Sequence, residues 1–414
     1  MKKCPKCGNQ IPEGTSTCSN CGNKNGTTPI VLWGIGIAIV LALLFKLGGE
    51  KEVPDEYSEK LVELANKGNA DAQFNLGDCY FAGRGVLQDY KEAFDWYRKA
   101  AEQGHLNAQL GVGFCYLIGT GVLPDTIEAL KWCRKAAEQG SVEAQGMMGE
   151  FYFEGLGINQ DYHEAAIWYQ KAAEQGESVA QYSLGLCYEN GYGVPLNYEN
   201  AAIWYRKAAE QGLADAQTSL GLCYYNGTGV SRDYSEAIVW FKKAAEQGDV
   251  TAQGYLGTCY YDGVGTLTNY KEAVKWYRKA AEQGDPTAQR ALGVCYAKGE
   301  GVISDKVESA KWMRRAAEQG DARAQATLGI YYFKGEGVMQ SNGIALQWIK
   351  KAAEQDYAGA QYILGIAYLE GKDILKDEEE GMKWINKAAS LGDANAITFL
   401  QQMKKRRGTS RGTI

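Results

Sequence analysis

Four cysteines near the start of the chain have the residue type and the spacing of a metal site. Cys4, Cys7, Cys18 and Cys21 form two Cys-x2-Cys pairs separated by ten residues. Four thiolates bind one tetrahedral Zn²⁺, and such a closed site is structural because it leaves no coordination position for a substrate. Two disulfides between the same cysteines are the alternative. The pattern predicts a zinc-binding domain over residues 1–28, with Zn²⁺ as its cofactor.

A second set of cysteines recurs at an interval of 36 residues. The six members occupy one equivalent position, which Phe151 and Tyr331 fill elsewhere: Cys79, Cys115, Cys187, Cys223, Cys259 and Cys295. Single thiols on successive helices do not converge on one zinc ion. Helices packed about 8–10 Å apart also keep their backbones too far apart for a disulfide. We therefore expect these cysteines to pack in a core as small apolar groups. A pairing of Cys115 with Cys133 stays open.

The same interval organises most of the chain into nine repeats. An Ala-Gln pair, a tryptophan and a glycine recur every 36 residues, beginning at Ala72, Trp96 and Gly83. Apolar residues at helical spacing predict a first helix that Gly83 ends. Asp89 is the predicted N-cap of a second helix, and Glu92 completes a capping box that six other repeats share. The period therefore predicts nine stacked helix pairs.

The repeat resembles the Sel1-like repeats, which are relatives of the tetratricopeptide repeats. Residues 69–103 carry the resemblance with NADAQFNLGDCYFAGRGVLQDYKEAFDWYRKAAEQ, and the other units repeat its motifs. The resemblance implies an all-α fold, namely a right-handed α-solenoid of about nine 36-residue helix-turn-helix repeats. It also implies a role as an adaptor or assembly scaffold. The cysteine pairs resemble the short zinc ribbon at the start of many bacterial proteins.

The sequence predicts five segments along the chain. They are a zinc ribbon (1–28), a single transmembrane helix (29–47), a linker with a capping helix (48–68), the repeat solenoid (69–403) and a basic tail (404–414). We expect the tail to be disordered and solvated, although contact with acidic lipid or a polyanion is the alternative.

The proposed membrane segment is apolar from residue 29 to residue 47 except for Lys46. A helix of this length at about 1.5 Å per residue reaches about 28 Å, which is enough to cross a bilayer core of about 30 Å. Its small residues Gly34, Ala38 and Ala42 could pair two copies as a homodimer. A slight lysine excess before the segment, and the reducing compartment that thiolates favour, predict a cytoplasmic N-terminus and extracytoplasmic repeats.

Positions that vary between repeats mark a candidate binding surface. On the first helix these are the equivalents of positions 74, 78 and 81, and in related solenoids the first helices line the inner curve. We expect a groove for a protein or peptide. Its residues are Phe74, Phe81, Phe114, Leu117, Phe153, Leu186, Tyr225, Tyr261 and Phe333. Packing against the next repeat is the alternative for these side chains.

Other function classes have little support in the sequence. A formal net charge of −6 argues against nucleic acid as the main partner. The chain has only two histidines, His105 and His163, and no nucleophile motif or phosphate-binding loop, which argues against an enzyme. We predict a membrane-anchored scaffold for protein interactions at a bacterial envelope. The alternatives are a regulator that acts through its zinc ribbon, and an envelope hydrolase.

Overall fold

The computed structural model describes residues 2–3, 10–11, 56–371 and 373–409 of the chain. Two short strands, β1 (Lys2–Lys3) and β2 (Gln10–Ile11), form an antiparallel ladder with Lys2 opposite Ile11. The predicted zinc ligands and the predicted membrane segment lie outside the described residues. Within the described ranges, no helix has both the length and the apolar character of a membrane span.

The repeats consist of alternating first and second helices, preceded by α1 (Glu59–Asn66). The first helices are α2 (Ala70–Ala82), α4 (Leu106–Ile118), α6 (Val142–Glu154), α8 (Ser178–Asn190), α10 (Ala214–Asn226), α12 (Val250–Asp262), α14 (Pro286–Lys298), α16 (Ala322–Lys334) and α18 (Ala358–Glu370). The second helices are α3 (Tyr90–Glu102), α5 (Thr126–Glu138), α7 (Tyr162–Glu174), α9 (Tyr198–Glu210), α11 (Tyr234–Glu246), α13 (Tyr270–Glu282), α15 (Lys306–Glu318), α17 (Asn342–Glu354) and α19 (Glu378–Ser390), after which α20 (Ala394–Thr409) ends the array. The predicted helix pairs are confirmed.

The helices fall into two compact units. Among the described residues, the first unit comprises those up to residue 223 and residues 227–231, and the second comprises residues 224–226 and those from residue 232 onward. The backbone of α20 stays helical to Thr409. The expectation of a disordered tail from residue 404 is therefore corrected for its first six residues, 404–409, because the last helix continues through them.

Contacts inside a repeat show that its two helices are antiparallel. In the first repeat, the Gln103 side chain bonds to Gln73, and the Asp89 amide donates to the Tyr80 carbonyl. The Asp89–Tyr80 contact beside the loop joins residues nine positions apart, and the Gln103–Gln73 contact at the other end joins residues 30 positions apart, as expected of antiparallel helices. The glycine Gly83 ends α2 with a φ of 67°, a left-handed conformation that glycine adopts without strain.

The predicted capping box is only half formed. The Asp89 carboxylate accepts hydrogen bonds from the amides of Lys91 and Glu92 at 2.9 and 3.1 Å, as expected of an N-cap. The Asp89 amide, however, donates to Tyr80 across the loop at 3.0 Å, so it is not available to Glu92. The corresponding amide-to-tyrosine bond recurs in all nine repeats. The bond ties the start of each second helix to the end of the first.

The second glycine of each loop permits close stacking of successive repeats. Gly121 has a φ of 73°, and a Cβ atom there would lie 2.0 Å from the Tyr90 carbonyl oxygen of the preceding repeat. Comparable clashes face this glycine in the other loops up to Gly337. In the last repeat Asp373 takes the position at a φ of 62° and accepts a hydrogen bond from Asn342.

A ladder of glutamines ties the helices together. Gln73 is 6% exposed; its amide nitrogen donates to the Ala65 carbonyl of α1, and its oxygen accepts from Gln103 at 2.7 Å. The same side-chain pair recurs at Gln109–Gln139, Gln145–Gln175, Gln181–Gln211, Gln253–Gln283, Gln289–Gln319 and Gln325–Gln355. Each buried glutamine of a first helix therefore joins the helix before it to the end of the helix after it.

Candidate functional site

The cysteines of the repeats lie in the core. Those at the shared position are between 0 and 6% exposed, and Cys133 is fully buried. Burial raises the pKa of the thiols to about 12 in Cys115, Cys133, Cys187, Cys223, Cys259 and Cys295. These six thiols form no disulfide in the part of the chain that the structure describes, and this includes Cys115 and Cys133. The packing interpretation is confirmed.

Both histidine rings make local contacts in the repeats. The His105 ring accepts the Ala108 amide as the N-cap of α4 and lies 3.2 Å from the Asp71 carboxylate. The His163 ring lies 3.0 Å from the Gly193 carbonyl. Among residues 56–371 and 373–409, no three side chains of the metal-binding types converge on one point.

Variation at position 78 is explained by a partner on the second helix of the same repeat. In three of the four repeats with tyrosine at the equivalent of position 97, the tyrosine hydroxyl donates to a polar side chain at position 78, and the bonds are Tyr97–Asp78, Tyr169–Glu150 and Tyr277–Thr258. In the fourth, position 78 is Leu186, and Tyr205 donates instead to Glu189 at the equivalent of position 81. In the other five repeats position 97 is Cys, Phe, Met or Ile, and position 78 is apolar. A polar residue at position 78 therefore occurs only in repeats with tyrosine at position 97, where the two side chains form a bond that stabilises the repeat.

The Glu150 carboxyl group, which accepts the hydrogen bond from Tyr169, is buried. Burial raises the pKa of Glu150 to about 7, and the bond from Tyr169 only partly opposes that shift. The nearby carboxylates of Glu154 and Glu177 raise it further. Burial also raises the pKa of Glu154 and Glu177 themselves. This face of α6 is therefore sensitive to pH.

Two of the predicted partner-binding residues are buried. Phe74 is 8% exposed because the His105 ring stacks on it at 4.8 Å and Tyr97 lies 5.6 Å away. Phe114 is 4% exposed and occupies position 78 in a repeat whose position 97 is Cys133. The expectation that Phe74 and Phe114 line an open groove is therefore wrong, because both side chains are used in packing.

The predicted residues at position 81 remain partly accessible. Their rings pack edge-on against the tyrosine that begins the following helix, at 5.3 Å for Phe81–Tyr90 and 5.0 Å for Phe153–Tyr162. The same contact joins Tyr225 to Tyr234 and Tyr261 to Tyr270. The half-buried members of the predicted set are Phe81, Leu117, Phe153, Leu186, Tyr225, Tyr261 and Phe333. Each unit therefore exposes aromatic and aliphatic surface along its first helices.

A cleft of about 620 Å³ opens on this face of the second unit. The helices α12, α14 and α16 line it, and Tyr261 is the one predicted partner residue among its walls. The Tyr261 hydroxyl donates to Glu300 at 2.5 Å and accepts from Lys298 at 3.0 Å, which fixes its ring. Such a volume is within the range of ligand pockets. The cleft is the best-formed candidate site on the first helices.

Sequence reasoning missed the polar residues of this cleft. Arg290 and Arg323 line it together with Gly254 and Tyr255. The Arg290 Nε atom lies 3.1 Å from an Asp321 carboxylate oxygen. A comparison of the repeats at positions 71 and 74 would have found both arginines, because no other repeat has a basic residue at either position.

Antiparallel helix pairs that repeat along the chain define an all-helical solenoid of interaction repeats. The chain belongs to the Sel1 repeat family, whose model matches residues 70–105, 106–141, 142–177, 178–213, 214–249, 250–285, 286–321, 322–357 and 358–393. Proteins of this family generally act as scaffolds for protein–protein interactions, and the fold is typically non-catalytic.

Two solved structures are similar to the chain. A protective antigen of uropathogenic Escherichia coli strains, which displays an SLR fold, is 42% identical with a TM-score of 0.77, over 82% of this chain and 72% of that one. A Sel1 repeat protein from Oxalobacter formigenes is 31% identical with a TM-score of 0.57, over 88% of this chain and 99% of that one. Among curated proteins, none matches the chain.

Proposed function

We propose that this protein is a membrane-anchored scaffold whose first-helix face binds partner proteins. The observation that carries the proposal is the accessible surface at position 81 in both units, since its aromatic rings are held by neighbouring tyrosines and yet stay half-exposed. Rigid aromatic side chains contribute strongly to protein interfaces because little conformational entropy is lost when they bind. The family's usual role as a scaffold supports the same proposal.

The anchor in this proposal is the apolar segment 29–47. It ends eleven residues before Ser58, the N-cap of α1, so the repeats would stay within about 40 Å of the bilayer even with an extended linker. The N-terminus would face the cytoplasm, the repeats would lie outside it, and the small residues of the segment could pair two copies. Carbonate extraction of membranes tests the anchor, and release of the chain into the soluble fraction would contradict it.

Zinc binding by Cys4, Cys7, Cys18 and Cys21 is part of the proposal. The paired strands β1 and β2 flank the first cysteine pair in sequence, which is consistent with a ribbon of short strands around a structural metal. The metal would stabilise the folded ribbon and supply no catalysis. Elemental analysis should find one zinc per chain in the wild type and none after Cys7→Ser together with Cys18→Ser. Equal zinc in both proteins would refute the ligand assignment.

The scaffold proposal is tested by charge substitutions on opposite faces. The groove variant carries Phe81→Glu, Tyr225→Glu and Phe333→Glu in the full chain. The control carries Ile127→Glu, Ile203→Glu and Val239→Glu, which lie on second helices and are 54, 52 and 45% exposed. Partners crosslinked in cells and recovered with the wild type should be lost from the groove variant and kept by the control. Identical recovery by all three proteins would refute binding through the first helices.

A further inference from the structure

The cleft of the second unit has open space at Gly254, which has no side chain. Gly254 lies inside α12, where its φ is not left-handed, and a Cβ atom there would meet nothing within 4 Å. Neither backbone strain nor packing therefore requires glycine at this position. Glycine destabilises a helix interior relative to alanine. The missing side chain leaves open space in the wall of the cleft that Gly254 and Tyr255 help to form.

The walls combine apolar surface with cationic donors. Tyr255, Tyr261 and Val294 supply the apolar part, while Arg290 and Arg323 supply the charge. One donor of Arg290 is paired with Asp321, which orients the guanidinium and leaves its remaining N–H groups for another acceptor. Arg323 is exposed. Guanidinium groups arranged in this way favour carboxylates, which accept two parallel hydrogen bonds.

Two acidic residues, Asp262 and Asp285, also line the cleft, and Asp321 pairs with Arg290 at its edge. The carboxylates of Asp285 and Asp321 accept the amides of Ala288 and Ala324 as helix N-caps. Their charge is therefore partly compensated by the helix N-termini that they cap. Asp262 lies exposed at the C-terminal end of α12. The N–H groups of Arg290 that Asp321 does not engage, and the guanidinium of the exposed Arg323, are the cationic donors of the cleft.

We propose that this cleft binds a peptide segment of a partner protein in which an acidic residue lies next to a large apolar residue. The carboxylate accepts hydrogen bonds from Arg290 and Arg323, and the apolar side chain occupies the space above Gly254 against the tyrosine rings. The proposal rests on the proposed scaffold function and specifies the partner chemistry for one part of the first-helix face.

The test uses the full chain and two fluorescein-labelled peptides, in one of which glutamate alternates with leucine and in the other lysine alternates with leucine. Fluorescence anisotropy should show that the glutamate peptide binds the wild type at least about tenfold more tightly than the lysine peptide does. Arg323→Glu should weaken binding of the glutamate peptide by about tenfold or more, because a hydrogen bond to a charged group is lost.

Gly254→Leu separates binding from folding. Leucine fills the cleft and should abolish binding of the glutamate peptide, while the helix becomes no less stable because leucine is a better helix former. Gly343→Leu is the matched control, since Gly343 lies on exposed surface in α17, outside the cleft, with nothing within 4 Å of its Cβ position. The control should bind like the wild type and melt at a similar temperature.

Equal binding of both peptides by the wild type, or unchanged binding of the glutamate peptide by Gly254→Leu, would overturn the inference. So would arginine-dependent binding of a single-stranded DNA oligonucleotide as tight as that of the glutamate peptide, because it would indicate a general polyanion site. Loss of crosslinked partners from the groove variant, together with unchanged binding by Gly254→Leu, would refute the cleft alone. Recovery of partners by the groove variant would instead refute the scaffold proposal.

Discussion

The glutamine ladder ends with one unsatisfied acceptor, and repairing it should stabilise the last repeat. Gln361 is fully buried; its amide nitrogen donates to the Ala353 carbonyl, while its Oε1 atom has no hydrogen-bond partner. In earlier repeats a glutamine thirty residues later supplies that donor, as Gln355 does for Gln325 at 2.8 Å. Leu391 occupies the position in the last repeat. Leu391→Gln places an amide donor where the ladder requires one.

The expected gain follows from the energy of an unsatisfied buried acceptor. Leaving such a group unpaired costs about 1–3 kcal/mol. Leu391 is 50% exposed, so removing it loses about 1 kcal/mol of apolar burial. Leu391→Ala loses the same burial without supplying a donor. We therefore expect Leu391→Gln to exceed Leu391→Ala in stability by about 1–2 kcal/mol. Gln355→Leu recreates the defect one repeat earlier and should destabilise that repeat by about 1–3 kcal/mol.

Native-state hydrogen exchange is the suitable assay because repeat arrays open locally and a single unfolding energy does not describe them. Amides of α18 and α19 should exchange more slowly in Leu391→Gln than in Leu391→Ala, and those of α16 and α17 should exchange faster in Gln355→Leu. Amides of α2 and α3 serve as the internal reference. Equal exchange in the two Leu391 variants would show that the ladder contributes nothing to stability, and our reasoning about it would be refuted.

Three further predictions concern the first unit and the core. Burial raises the pKa of Glu150 from 4.5 to about 7, so its contribution to stability is complete below about pH 4.5 and is lost as the pH rises through about 7. The Glu150→Gln variant should not show this loss. In urea unfolding at pH 8 it should therefore be more stable than the wild type by up to about 3 kcal/mol. Gly121→Ala should lower the free energy of unfolding by more than about 2 kcal/mol because its Cβ would clash with the Tyr90 carbonyl. The Cβ of Gly104→Ala would meet nothing within 4 Å, so this control should lose only about 1 kcal/mol from its left-handed backbone. Equal losses in the two variants would contradict the close stacking of repeats. Iodoacetamide at pH 8 should not modify Cys187 and Cys259 in the folded chain but should modify both in urea, because burial raises the pKa of both thiols to about 12. Peptide mapping detects the modification, and rapid modification before unfolding would contradict the burial of these thiols.

The period of the sequence was sufficient to predict the helix pairs, since glycines and N-cap residues recur with it and act locally. The loop bond from Asp89 to Tyr80 could not be read from the same pattern. It joins backbone groups nine residues apart, and only the folded loop decides whether that amide meets Tyr80 or Glu92. The capping box was half right for this reason.

Predicting the binding surface requires separating packing from recognition, and variability alone does not do so. Phe114 varies because its partner position holds Cys133 instead of tyrosine, and Glu150 varies because its partner is Tyr169. A comparison of positions 78 and 97 across the repeats would have shown that polar residues at position 78 occur only beside a tyrosine, with Leu186 beside Tyr205 as the exception. The cleft itself depends on Gly254, and the open space above that residue is a property of three packed helices that no single repeat reveals.

The central claim is that partners bind the first helices, and photo-crosslinking in intact cells tests it most directly. A benzophenone amino acid at position 261 in α12 should crosslink to a partner protein, and the same probe at the more exposed second-helix position 239 should not. Crosslinks that depend on Gly254 as well would place the partner in the cleft. Crosslinks from position 239 alone, with none from position 261, would contradict the account.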